Sequence, residues 1–204
     1  RALVYEATDD IELAIKEYSI IIDDYDEALD LDILAITYRN RGLSHENLEQ
    51  YDLALADYNK AVELDPEEVD NYENRADLYA LLEENSRAFS DYSKCIELYP
   101  NDAYYLNNRA DFHSDIEEYD NAIEDYTMCI KLSPEDLDAY ISRADIYVYL
   151  EEYDKALADF AKCIEIDPEN PDTYFYRTTL YEDLEEYDLA LADYNKAIEI
   201  DPED

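Results

Sequence analysis

The chain has 204 residues, 48% of them hydrophobic, with 15 basic against 56 acidic side chains and a net charge of −41. Such a polyanion repels phosphate backbones and anionic lipid surfaces, which argues against nucleic acid and membranes as partners. One glycine, two histidines and no apolar run of membrane length leave no phosphate-cradling loop, no zinc motif and no spanning segment.

Residues 1–34 open with Arg1-Ala2-Leu3-Val4-Tyr5, followed by Ala14 and Tyr18. The same spacing returns later as Arg75-Ala76-Asp77-Leu78-Tyr79, then Ala88 and Tyr92. These residues read as a helix-pair unit that begins at its seventh position, mid-helix, as a fragment would. Asp26 stands where later units have proline. About six extra residues, Leu29 to Leu34, read as a linker or an extended start to the next helix.

From residue 35 the order is stricter. Pro66, Pro100, Pro134, Pro168 and Pro202 are each 34 residues apart, which marks a stack of small identical units. With proline at position 32, the units are 35–68, 69–102, 103–136, 137–170 and 171–204. Positions 4, 8 and 11 form one apolar stripe at helical spacing, as in Tyr72, Ala76 and Tyr79. Positions 20, 24 and 27 form a second, as in Ala88, Tyr92 and Cys95. A polar Glu-Glu-Tyr-Asp type turn separates them, so each unit reads as two antiparallel helices. Small residues let the backbones approach and rings fill the space beside them.

Positions 7 and 23 carry opposite charges throughout, which predicts a repeated ion pair. The pairs are Arg41 with Asp57, Arg75 with Asp91, Arg109 with Asp125, Arg143 with Asp159, and Arg177 with Asp193. The alternative is an arginine row that captures phosphate or carboxylate. Cys95, Cys129 and Cys163 share position 27 and read as small buried packers; reduced thiols fit an intracellular, cytoplasmic setting. His45 and His113 share the aromatic packing position 11. The carboxylates are spread evenly, so no catalytic pair stands out, and no cofactor or metal site is expected.

The pattern of aromatic, small, aromatic, Ala, aromatic, Ala, Pro resembles the tetratricopeptide repeat (TPR) family over residues 35–204. Two departures are Arg at position 7, where the family has Leu, and mostly Ala at position 8, where it has Gly. The resemblance implies an all-α fold, a right-handed α-solenoid of antiparallel helix pairs, whose first helices line a concave groove. It places positions 2, 5, 6, 9, 12 and 13 in that groove. Position 6 then supplies Asn40, Asn74 and Asn108, a residue type that some family members use against a peptide backbone. Position 9 supplies Asp77, Asp111 and Asp145; aromatic anchors are Tyr104, Tyr149 and Phe175. So acidic a groove implies a non-catalytic scaffold for an extended basic peptide or protein segment. It argues against a C-terminal carboxylate as ligand, since Arg39 is the only basic residue at positions 2, 5, 6 and 9. The second function is end-to-end self-association through uncapped terminal faces.

The acidity has two readings, attraction of basic partners or adaptation to high salt. Screening shrinks from about 30 Å at 0.01 M to about 3 Å at 1 M, so salt should raise the melting temperature.

Overall fold

In the computed structural model the described residues are 10–25 and 31–202. Arg1, Ala2, Leu3, Val4, Tyr5, Asp26, Leu29 and Asp30, on which part of the reading of residues 1–34 rests, lie outside them. Among the described residues there are eleven helices and no strand. The fold is all-α, built of the antiparallel helix pairs of a repeat solenoid.

The chain divides into two compact units, Arg1–Pro100 and Asn101–Asp204. The first contains α1 (Ile11–Asp23), α2 (Leu31–Asn47), α3 (Tyr51–Leu64), α4 (Val69–Leu81) and α5 (Asn85–Leu98). The second contains α6 (Ala103–Asp115), α7 (Tyr119–Leu132), α8 (Leu137–Tyr149), α9 (Tyr153–Ile166), α10 (Pro171–Asp183) and α11 (Tyr187–Ile200). Within each unit, first and second helices of a repeat pack on one another, as α2 on α3 or α8 on α9. The second helix also packs on the next first helix, as α3 on α4 or α9 on α10. At 17 residues α2 is longer than the 13-residue first helices after it, because it starts at Leu31.

Small residues set the helix spacing. Ala54, Ala76, Ala88, Ala110, Ala122, Ala144 and Ala156 are fully buried, and Tyr58, Tyr126 and Phe160 fill the space beside them. The later first helices start on side-chain caps: Glu68, Asp102, Asp136 and Asn170 each accept a backbone N–H of the first turn. They stop by a left-handed residue at position 15, where Glu49, Glu83, Glu117, Glu151 and Glu185 have φ of 57 to 61°. The next N–H returns to a carbonyl five residues back, as Glu84 to Tyr79 at 2.8 Å, closing a Schellman motif. Glycine is the usual residue there, and a chain with one glycine adopts the conformation with glutamate at some cost.

That one glycine, Gly42, lies inside α2. A Cβ there would meet the Tyr58 ring at 2.7 and 2.8 Å. Its hydrogen side chain is what lets the ring lie against the helix.

Candidate peptide-binding face

The second helices anchor the first helices through arginine. In the first unit, Arg41 donates to both carboxylate oxygens of Asp57 at 2.7 and 2.6 Å, and Arg75 to those of Asp91 at 2.7 and 2.8 Å. In the second unit the same fork joins Arg109 to Asp125, Arg143 to Asp159 and Arg177 to Asp193, at 2.7 to 2.8 Å. The aspartates are buried. Partial burial works most strongly against the charge on Arg75, but the hydrogen bonds it donates to Asp91 and the charge of that carboxylate together outweigh it, and the guanidinium pKa rises. A third nitrogen ties one repeat to the one before it: Arg75 to Asn59 at 2.7 Å, Arg143 to Thr127 at 2.8 Å. Tyrosine rings flank the cations, Tyr72 and Tyr79 lying 5.7 and 5.8 Å from Arg75. These arginines are consumed by the scaffold rather than offered as an anion row.

Position 9 points its carboxylates elsewhere. The Tyr92 hydroxyl donates to Asp77 at 2.7 Å, and the Tyr126 hydroxyl donates to Asp111. Desolvation raises the pKa of both carboxyls, and the phenol hydrogen bond pulls each part of the way back. Burial and the carboxylate together push the two phenols well above the usual tyrosine range. Asp145 also has a raised pKa, from desolvation alone. In the first repeat position 9 is Leu43, and Tyr58 turns its hydroxyl to Glu46 instead, at 2.7 Å.

The position-6 amides are half-buried. Asn74 donates one amide N–H to the Asp70 carbonyl on its own helix at 2.6 Å, which leaves its side-chain carbonyl and its second N–H to offer. Asn40 lends its backbone carbonyl to the Ser44 hydroxyl at 3.0 Å. Tyr104, Tyr149 and Phe175 are 54%, 65% and 56% exposed, large apolar surfaces left in water. Arg39 is neutralised by Asp70 at 3.2 Å and Glu68 at 3.7 Å.

In the second unit the side chains of α6, α7 and α8 line an open cavity of about 400 Å³. Asp111 and Asp145 line it with Asp115, Ser142, Tyr119 and Tyr149. The repeat spacing gives no hint of this cavity, which depends on where the tyrosine rings turn.

The remaining reactive groups are absorbed by packing. His45 and His113 are buried, their Nδ1 atoms 2.8 Å from Gln50 Oε1 and 2.9 Å from Glu118 Oε2. Burial pushes the Cys95, Cys129 and Cys163 thiols up to about 12, which keeps them protonated. Among the described residues no group of three or more His, Cys, Asp or Glu could hold a metal, and no helix is long and apolar enough to cross a membrane.

The tetratricopeptide repeat profile matches residues 35–68, 69–102, 103–136, 137–170 and 171–204, so the chain belongs to the tetratricopeptide repeat family. No curated protein matches it. Solved structures with the same fold include the C-terminal part of a TPR repeat-containing protein from Cytophaga hutchinsonii, with 18% identity and a TM-score of 0.79, covering 98% of this chain and 77% of that one. MamA from Desulfovibrio magneticus has 18% identity and a TM-score of 0.67, covering 82% and 95%. YrrB, described as a TPR protein with an unusual peptide-binding site, has 23% identity and a TM-score of 0.62, covering 91% and 93%. Family and fold are consistent with protein–protein interaction, and proteins of the family are typically non-catalytic scaffolds.

Proposed function

We propose that the chain is a non-catalytic scaffold that holds an extended, basic segment of a partner protein against its first helices. The carrying observation is the recurrence of Asp77, Asp111 and Asp145 at one repeat position, each exposed to a partner and each with a carboxyl pKa that partial desolvation raises. A cation placed there pairs with a partly desolvated negative charge. Asn40, Asn74 and Asn108 can accept peptide N–H groups whatever the side chains, and Tyr104, Tyr149 and Phe175 offer exposed rings to apolar or cationic ones. A net charge of −41 steers such a partner from a distance. A peptide partner also fits the likeness to YrrB, a TPR protein with an unusual peptide-binding site.

The test is fluorescence anisotropy with a labelled dodecapeptide rich in lysine and arginine, and with its glutamate counterpart. The basic peptide should bind, the acidic one should not, and affinity should fall between about 50 mM and about 500 mM salt as screening grows. Binding of neither peptide, or of both alike, would sink the reading. Light scattering over a concentration series should give one constant mass; growth with concentration would favour self-association instead.

A further inference from the structure

The chain itself shows how it holds a guanidinium. Arg143 carries a two-pronged hydrogen bond to Asp159 at 2.7 and 2.8 Å, with Tyr140 and Tyr147 at 5.8 and 5.9 Å. Arg75 repeats the arrangement with Asp91, Tyr72 and Tyr79. The cavity of the second unit has the same constituents without the arginine: Asp111, Asp115 and Asp145, walled by Tyr119, Tyr126 and Tyr149. The Tyr119 and Tyr149 rings lie 4.7 Å apart at 45°, faces on which a planar cation can stack.

The three carboxylates differ in what already holds them. Asp111 takes the Tyr126 hydroxyl. Asp145 stands at the same place one repeat later, 15 residues before Phe160, just as Asp111 stands 15 before Tyr126. The phenylalanine has no hydroxyl to give, and its ring stacks on Tyr176 at 6.4 Å. Among the described residues nothing donates a hydrogen bond to the Asp145 carboxylate, which is exposed to an arriving partner and whose pKa partial desolvation raises.

We propose that this cavity receives one arginine side chain of the partner segment, with Asp145 as the carboxylate that pairs with the guanidinium and Tyr119 and Tyr149 as the faces it stacks on. The assignment rests on the basic-segment reading and narrows it to one anchor at one place. Lysine can meet Asp145 as a point charge, but it neither forks nor stacks, so it binds less tightly.

The experiment uses the full chain and two labelled dodecapeptides, identical except that one carries arginine wherever the other carries lysine. The arginine peptide should bind more tightly. Asp145→Asn should weaken it about tenfold, the scale of one charge-assisted hydrogen bond. Glu135→Gln removes the same charge from an exposed residue outside the cavity and should change binding by less than about twofold. Phe160→Tyr offers Asp145 the hydroxyl that Asp111 has, and should weaken the arginine peptide about threefold. If Phe160→Tyr does not fold, the Asp145 and Glu135 variants decide alone. Arginine and lysine peptides binding equally, or Asp145→Asn behaving like Glu135→Gln, would overturn the cavity assignment while the basic-segment reading stands. Failure of both peptides to bind wild type would remove that reading and the assignment with it.

Discussion

Asp77 in the first unit and Asp145 in the second hold the same position of their repeats. The first is held by the Tyr92 hydroxyl at 2.7 Å; the second has Phe160 in the place of that tyrosine and receives no such bond. The two units differ again at Arg39, which neutralises Asp70 and Glu68 in the first; the second has no basic residue at positions 2, 5, 6 or 9. Yet the helix pairs, caps and arginine forks are the same in both. One set of positions makes the repeat stack, and another decides which carboxylates are left for a partner. A single hydroxyl is enough to change the second without touching the first.

The largest expected effect tests the part the units share. Asp91→Ala in the first unit and Asp159→Ala in the second should each destabilise by about 3–5 kcal/mol, because each strands a half-buried guanidinium. Equilibrium urea unfolding would measure both. Replacing the whole pair, as Arg75→Met with Asp91→Leu, should cost less than Asp91→Ala alone. Equal costs for single and double replacements would mean that the fork contributes packing rather than charge pairing. A large difference between the two units would break the claim that they share one scaffold.

Gly42 breaks the likeness among repeats in a different way. Alanine is the better helix former by about 1 kcal/mol, and positions 76, 110 and 144 have it. At Gly42 the added Cβ would lie 2.7 Å from a fully buried tyrosine ring, and overpacking costs about 1–3 kcal/mol. Gly42→Ala should therefore lose about 1 kcal/mol net, and Ala144→Gly should lose about as much for the opposite reason. A gain at Gly42→Ala in thermal unfolding would show that Tyr58 swings aside.

How far the chain announces its structure depends on the level asked about. The period of 34 and the alternation of alanine with tyrosine carry the helix pairs and the family, because packing at that spacing has few solutions. The faces of the helices follow from the same arithmetic. Rotamers do not: nothing in the spacing says that Asn74 turns its amide onto the Asp70 carbonyl, or that Tyr58 takes Glu46 where Tyr92 takes Asp77. The cavity beside Asp145 depends on such choices by several rings at once. One signal was available, Phe160 in a column of tyrosines, and its meaning appears only once the tyrosine hydroxyls are seen on aspartates. The left-handed glutamates were legible in principle too, since a helix that stops in a three-residue turn needs one residue with positive φ.

Those glutamates give a prediction that should not distinguish the units. Glu83→Gly in the first and Glu151→Gly in the second each relieve a φ near 58°. The left-handed conformation costs about 1–2 kcal/mol for a residue with a side chain, and glycine returns part of that as backbone entropy. A gain of about 0.5–1 kcal/mol is expected at each, read as a rise in urea midpoint. No gain at either site would mean that the glutamate side chain makes compensating contacts in the turn.

The smallest effect bears most directly on Asp145. Desolvation raises its folded pKa, with no hydrogen bond to offset it, whereas at Asp77 the Tyr92 hydroxyl opposes the rise. A carboxyl whose pKa is higher folded than unfolded binds its proton better in the folded state. Its charge therefore destabilises the fold at neutral pH, and that penalty vanishes as pH falls through the folded value. The penalty is full above the folded value and gone below the ordinary value of about 3.9, so the window lies just above that ordinary value. Asp145→Asn should then melt slightly higher than wild type at about pH 7, with the gap closing by about pH 4; taking the difference cancels the general relief of self-repulsion on acidification. The carboxyl is more than a third exposed, so the gap should be a fraction of a kcal/mol. A gap that does not change with pH would mean that Asp145 is as well solvated as a carboxylate in water. The contrast with Asp77 would then reduce to the missing hydroxyl, and an arriving guanidinium would gain only a pairing partner, with no strained charge to relieve.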